Sequence, residues 1–253
     1  MSHFQQSFAW WSFGRGVADP PTFFREARKI GYRGVELLPR ELWDAARAAG
    51  LTIVSEGAGK IERGLNRRAH HAEIEAEVKA RLELAVRYGI PNLIVFSGNR
   101  GGLSDEAGAL VTAEGLRRLA PLAEAAGVTL VLELLNSKVD HPDYQCDHTA
   151  WGVLVMNLVN SPAVKLLYDI YHMQIMEGDI IRTIREVAAP WIGHVHTAGN
   201  PGRRDLDDAQ ELCYPPIMRA LKEIGYTGFV GQEFIPKGDA LEALRAAYHL
   251  CDV

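Results

Sequence analysis

The hydrophobic positions of this chain follow two rhythms that take turns. Short runs are apolar almost throughout: FAWWSF (8–13), GVELL (34–38), LTIVSEG (51–57), NLIVFSG (92–98), VTLVLELLN (128–136), VKLLYDIYH (164–172), IGHVHTAG (192–199) and GFVGQEF (228–234). Each is followed by a stretch with apolar residues at helical spacing, such as PPTFFREARKIG, HHAEIEAEVKARLELAVRYG or GDALEALRAAYHL. Parallel strands covered on both faces read as continuous apolar runs, whereas half-exposed antiparallel strands alternate. About eight strand-then-helix units in about 250 residues match an α/β fold of the (β/α)8 (TIM) barrel type, a single domain over residues 1–253. Punctuation agrees: Pro20 and Pro21 suit a helix start, and Gly31, Gly50, Gly89, Gly127 and Gly225 fall where helices should end.

A weak internal echo supports the count. KIGYRGVELLP (29–39) and EIGYTGFVGQEFIP (223–236) share a helix end, an IGYxG turn, a strand, a Glu and a Pro. The competing architecture is an open doubly wound sheet, whose usual mark is a GxGxxG turn after the first strand. FGRG (13–16) is only a fragment of that turn.

In such barrels the chemistry sits at the C-terminal ends of the strands. The second strand ends near Glu36, the fifth at Glu133 and Asn136, the sixth at Asp169 and His172, the seventh at His196, and the eighth at Gln232 and Glu233. Four consecutive strands therefore offer Glu133, Asp169, His196 and Glu233, all of ligand type and all preceded by apolar residues. Three carboxylates at one buried rim repel one another, and a divalent cation resolves the conflict. Three oxygen donors and one imidazole suit Mn²⁺, Mg²⁺ or Co²⁺ better than a structural zinc centre. His194 and His196 share one strand face. His196 lies nearer the C-terminal end and is the expected ligand; His194 is expected one layer deeper, as a hydrogen-bonded core residue.

Charge and composition then narrow the partners. The formal net charge of −5 argues against a nucleic-acid surface. No apolar run reaches the roughly 18 residues of a membrane span, and the N-terminus shows no secretory pattern. The 3 cysteines, Cys146, Cys213 and Cys251, are too scattered for a disulfide framework or a zinc motif, which points to a reducing cytoplasm. A homo-oligomer is left open.

VLELLNSKVDHP, DIYHMQIMEGD, HVHTAGNPGR and GFVGQEFIP resemble the hydroxypyruvate isomerase group of the xylose-isomerase-like barrels, a superfamily that includes ketose 3-epimerases. The resemblance spans nearly the whole chain. It implies a divalent metal held by Glu133, Asp169, His196 and Glu233, with Glu133 and Glu233 as the acid/base pair. It also implies substrate contacts from His172 of the DxxH element and from Arg203. Two departures bear on the substrate. Hydroxypyruvate isomerases often carry Gln where this chain has His196, and a PGxGE-like stretch where it reads RRDLDDAQELCYP. The first brings the site closer to the epimerases.

The implied reaction isomerises a small hydroxy-carbonyl compound, of the hydroxypyruvate to tartronate semialdehyde type, through a cis-enediolate. A ketose 3-epimerase or a 2-oxo-tetronate isomerase is the alternative. An endonuclease IV-like phosphodiesterase and a non-catalytic sugar-acid binder rank lower. The expected partner is accordingly a small hydroxy-keto acid or a ketose. Glu36, Asn136, Lys60 and His71 are further candidate substrate contacts. Glu36 serves either a substrate or a neighbouring strand end, and His70 and His71 read as surface residues, His71 with a weaker claim on substrate. Arg203 is preferred over Arg63 and Arg204 for a substrate carboxylate. Trp10, Trp11 and Phe13 read as core, with room for one of them on a pocket wall. The polar segment 57–71 reads either as a lid or as an ordinary connection.

Overall fold

The computed structural model describes residues 4–253; residues 1–3, part of the single domain expected, lie outside the described residues. Its elements run β1 (Gln5–Ala9), α1 (Trp10–Phe13), α2 (Pro20–Ile30), β2 (Gly34–Glu36), α3 (Trp43–Ala48), β3 (Thr52–Ile53), β4 (Ser55–Gly57) and α4 (Arg68–Tyr88). Then follow β5 (Asn92–Val95), α5 (Asp105–Ala126), β6 (Thr129–Glu133), α6 (Thr149–Val159), β7 (Val164–Asp169), α7 (Ile170–Met176) and α8 (Ile180–Arg182). The chain ends with β8 (Ile192–Thr197), α9 (Tyr214–Glu223), β9 (Phe229–Gln232) and α10 (Ala240–Cys251). Among the described residues the 9 strands form one sheet, in the order β3-β2-β1-β9-β8-β7-β6-β5-β4. The order begins and ends on two strands that only Val54 separates along the chain. The strand pairs described are all parallel, as the barrel type expected requires.

By internal contacts the chain forms two compact units, one running to Ser55 and resuming at Val195–Val253, the other Glu56–His194. In the first, β1 pairs in parallel with β2 and β9, with Phe8 opposite Val35 on one side and Gln232 on the other. Its core is aromatic: Phe8 meets Tyr32 edge-on at 5.5 Å and Phe13 meets Phe234 at 4.9 Å, a geometry that suits the ring quadrupoles. Asp19 caps α2 by accepting from the Thr22 N–H, ahead of the two prolines. In the second unit, β6 lies between β5 and β7, with Leu132 opposite Val95 and Leu166. These are the leucine-rich runs of the sequence, fully buried. Gly89 and Gly127 close α4 and α5 in the left-handed region, as their places in the sequence predict.

Two local readings change, and a third stays open. The third strand, expected over 51–57, is two short strands, β3 paired with β2 and β4 with β5. FAWWSF is the end of a strand followed by a helical turn, so Trp10 and Trp11 leave the strand. The 57–71 segment is tied down at its far end. Leu65 and Asn66 donate their N–H groups to Phe96 O at 3.0 Å and Ser97 O at 2.8 Å.

Candidate functional site

In the first unit, β8 and β9 run side by side with His196 opposite Gly231. His196 is buried one residue before the end of its strand, and Glu233 follows β9 directly. His196 Nδ1 lies 3.2 Å from Glu233 Oε2. Trp11 donates its indole N–H to Glu233 Oε1 at 2.8 Å, and Arg203 reaches Glu233 Oε2 at 2.5 Å. Burial works to raise the pKa of Glu233. The charges of His196 and Arg203 and the hydrogen bonds from His196 and Trp11 outweigh it, and hold this carboxyl well below the usual carboxylate range.

Arg203 follows Gly202 in the turn after β8 and has φ 54, a left-handed conformation uncommon for a residue with a Cβ. The turn is held from outside, because Ile235 donates its N–H to Arg203 O at 2.8 Å. The guanidinium also lies 5.1 Å from the centre of the Trp11 ring. Trp11 thus faces the site with both its π-face and its N–H. Sequence reasoning read it as core, with room for one of Trp10, Trp11 and Phe13 on a pocket wall, and missed the hydrogen bond; its one signal is that an indole N–H needs a partner when buried.

Glu36, at the end of β2, is fully buried. Its carboxylate accepts from Ser7 Oγ and from Ser55 Oγ, the latter at 2.8 Å, and lies 3.2 Å from His196 Nε2. Of the two roles expected for Glu36, the structure shows the strand-end contact.

In the second unit, Glu133 ends β6 and Asp169 ends β7, both buried. They offer carboxylate oxygens within 4.8 Å of each other. Asp169 also caps α7, accepting from the His172 N–H at 3.0 Å. That places His172 beside it, with Nε2 3.8 Å from Asp169 Oδ2. Asn136 donates its backbone N–H to His172 Nδ1 at 3.1 Å. Nδ1 is therefore an acceptor, and a neutral His172 carries its proton on Nε2. Asn136 also donates from Nδ2 to Asp140 Oδ2 at 2.6 Å, and Tyr171 OH donates to the same oxygen at 2.9 Å. Asn136, His172, Asp140 and Tyr171 thus form one network. Tyr171 escaped the sequence reading although it lies inside the DxxH motif.

The remaining candidates scatter. His194 is buried, as expected of a core histidine. Beside Glu133 stands buried Tyr144, whose hydroxyl donates to Glu133 O at 3.0 Å and accepts from Ser97 N–H at 3.1 Å, a structural bracket. His71 is corrected from a surface residue: it is 2 % exposed, with Nε2 2.8 Å from Leu65 O. Lys60 is exposed, and Arg63 pairs with Glu73 at 3.2 Å on the surface.

The sequence matches the family described as Xylose isomerase-like TIM barrel over residues 36–250, and the chain belongs to that family. A human protein named "Putative hydroxypyruvate isomerase" is 33% identical over 242 residues, covering 88% of this chain and 87% of its own length. A 2-oxo-tetronate isomerase of Cupriavidus necator is 32% identical over 228 residues, covering 85% of this chain and 86% of its own. Among solved structures, one described as an AP endonuclease of family 2 from Brucella melitensis superposes with a TM-score of 0.85 at 29% identity. It covers 95% of this chain and 97% of that one. By this kinship the chain is an isomerase with the barrel fold. Among the described residues no helix is long and apolar enough to cross a membrane.

Proposed function

We propose that the chain, acting as one domain over 1–253, is a divalent-metal-dependent isomerase of a small hydroxy-keto acid, of the hydroxypyruvate to tartronate semialdehyde type. One observation carries it: of β6, β7, β8 and β9, successive in the sheet order, the first two end on buried Glu133 and Asp169, β8 carries buried His196 one residue before its end, and β9 runs directly into buried Glu233. Each of the four offers one ligand atom for a metal ion. The donor set fits such an ion. Buried carboxylates close together need a cation, and three oxygens with one imidazole suit Mn²⁺, Mg²⁺ or Co²⁺. When bound, the ion acts as a Lewis acid on the substrate carbonyl.

The residues of the chain do the rest. One of the two glutamates takes the proton from the hydroxyl-bearing carbon, and a glutamate returns it to the former carbonyl carbon while the hydroxyl proton moves to the old carbonyl oxygen. Arg203, held against Trp11, offers its planar fork to the substrate carboxylate. His172, proton on Nε2, donates to a substrate oxygen, and Asn136 keeps that tautomer. Lys60, His71 and Glu36 play no direct part in this reading. The net charge of −5 disfavours a nucleic-acid substrate. The 3 free cysteines fit a reducing compartment such as the cytoplasm.

A second reading, 2-oxo-tetronate isomerisation, is favoured by the Cupriavidus relative, of similar identity to the human one. The test is proton NMR in D₂O after chelator treatment and return of Mg²⁺, with hydroxypyruvate and then 2-oxo-tetronate as substrates. Metal-dependent product with deuterium on carbon supports the reading, and the faster substrate names the acid. If neither acid exchanges a proton with any divalent ion, proton-transfer chemistry at these glutamates is refuted.

A further inference from the structure

The segment that follows β9 is laced to the loop that carries Arg203, and both belong to the first unit. Glu233, Ile235 and Lys237 donate their backbone N–H groups in turn, the every-second-residue rhythm of an extended chain. Their acceptors are Thr197 O at 2.9 Å, Arg203 O at 2.8 Å and Asp205 Oδ2 at 2.8 Å. The first rung continues the β8–β9 ladder, in which Thr197 lies opposite Gln232. The second fixes Arg203 from behind. At the third the acceptor is a side chain, because the Asp205 carbonyl is turned toward Gly199, where a Cβ would collide with it. Beside that close approach, Gly199 and Arg204 exchange backbone hydrogen bonds at 2.8 and 3.3 Å. Arg203 needs such support. Its φ of 54 is a left-handed conformation that a residue with a Cβ keeps only where its surroundings over-determine it. Its guanidinium, 5.1 Å from the Trp11 ring centre and 2.5 Å from Glu233 Oε2, depends on where that backbone sits.

We propose that Asp205 is a positioning residue for Arg203. By accepting the Lys237 N–H it closes the last rung between the two segments. The left-handed turn is thereby held against the segment of Glu233, and the guanidinium stays over Trp11. The neighbouring ion pair of Lys237 Nζ and Asp207 Oδ2, at 2.7 Å, joins two half-exposed side chains, and such surface pairs contribute little. The rung from Lys237 N–H to Asp205 is different in kind, because it fixes backbone on both sides of Arg203's turn. This positioning stands on the hydrogen-bond geometry alone. That the positioned guanidinium meets a substrate carboxylate rests on the function proposed above.

The experiment uses the full chain with ¹⁵N-labelled tryptophan. The Trp11 indole signal is assigned with Trp11→Phe, and Arg203→Met shows where it moves when the guanidinium leaves. Proton–nitrogen spectra are recorded without substrate, and KM and kcat are then measured with Mg²⁺ and hydroxypyruvate. Asp205→Ala, which loses the acceptor, is expected to shift the Trp11 signal toward its Arg203→Met position. Its KM should rise about tenfold, the scale of one hydrogen bond to a charged group, with kcat changed less. Asp205→Asn keeps an acceptor oxygen and should restore both the signal and KM, which separates a lost contact from a lost charge. Asp207→Ala, which breaks only the surface pair, should match the wild type. Asp205→Ser, too short to reach the Lys237 N–H, repeats the test should Asp205→Ala fail to fold. An unmoved Trp11 signal in the folded Asp205 variant overturns the proposal. So does an equal displacement in Asp205→Asn or Asp207→Ala, or an Arg203→Met protein whose Trp11 signal stays in place. If the signals behave as expected but the wild type turns over neither hydroxypyruvate nor 2-oxo-tetronate, the positioning of Arg203 stands and the proposed function falls.

Discussion

Arg203 Nη2 lies 2.5 Å from Glu233 Oε2, and His196 Nδ1 shares that oxygen at 3.2 Å. A guanidinium and an imidazole therefore converge on one buried carboxylate. The consequence is measurable as acid stability. The pKa of Glu233 is lowered in the native protein from its ordinary 4.5, so folding favours the ionised form. That stabilisation is complete above the unfolded value and is lost as pH falls through the lower native one. Arg203→Met removes the guanidinium charge. The acid-unfolding midpoint of the chelated protein, followed by circular dichroism, is expected to move to higher pH. An unmoved midpoint means the pair contributes nothing to folding.

The same arginine has a second expected role. Lysine keeps the charge but loses the fork, so Arg203→Lys should bind a substrate carboxylate less well. Hydrogen bonds to charged groups contribute about 1.5–3 kcal/mol, so a rise in KM of about 10–100-fold is expected, with kcat changed less. Steady-state kinetics on an acid and on a neutral ketose separate the explanations. If both substrates suffer equally, Arg203 acts through Glu233 rather than on a carboxylate.

Metal loading should be visible without any substrate. Glu133, Asp169 and Glu233 are all buried, and a cation that binds only the native state stabilises it by mass action. At a hundredfold excess over Kd the gain is about 2.7 kcal/mol. For a chain of this size that is a rise in Tm of about 5–11 °C. Differential scanning fluorimetry with Mn²⁺ or Mg²⁺, reversed by chelator, measures it. Glu133→Gln and Asp169→Asn should each blunt the shift; a full shift in both variants moves the ion elsewhere.

The sheet was legible because LVLELL, KLLYD and HVH are dense apolar runs with a polar residue at the end, and that pattern survives any local error of register. Glu133, Asp169, His196 and Glu233 stood out as candidates for the same reason: each falls at or beside the end of such a run. Glu36 was legible as a substrate or strand-end contact but its partners were not, since Ser7 and Ser55 reach it from other strands and nothing in GVELL names them. His71 sits in a charged stretch, HHAEIEAE, and reads as surface until α4 and the backbone of Leu65 enclose it. The split of the third strand depends on which neighbour each half pairs with, a tertiary choice that LTIVSEG does not encode. Trp11 shows the limit from the other side: adjacent tryptophans look alike in sequence, yet Trp10 packs on Phe24 at 5.0 Å while Trp11 donates to Glu233.

The open choice between a lid and a fixed connection at 57–71 can be decided at Gly64. A Cβ on Gly64 would come within 2.3 Å of Gly98 N and Phe96 O, backbone atoms that cannot rotate away. Next to it, Leu65 and Asn66 are bound to the end of β5. Gly64→Ala should therefore destabilise by about 1–3 kcal/mol, the range for overpacking, seen as a lower urea midpoint. A mobile lid would absorb the methyl group, and an unchanged midpoint would assign 64–66 to it.

Thiol chemistry tests the packing of the last helix. Cys213 is exposed, while Cys146 and Cys251 are buried. Burial pushes the Cys251 thiol up to about 12, and the hydrogen bond from Gln232 offsets only part of that. Burial likewise raises Cys146 well above the ordinary 9.0. Only the thiolate attacks a disulfide reagent, so at pH 8 the two buried thiols are both unreachable and un-ionised. The native protein should release one equivalent of thionitrobenzoate promptly and three after unfolding in guanidinium. Cys213→Ser should abolish the fast phase and leave the slow one. A second fast equivalent that disappears in Cys251→Ser would show that α10 does not seal the end of the chain against Gln6 and Gln232, as Gln6 Nε2 donating to Tyr248 O at 3.0 Å indicates it does.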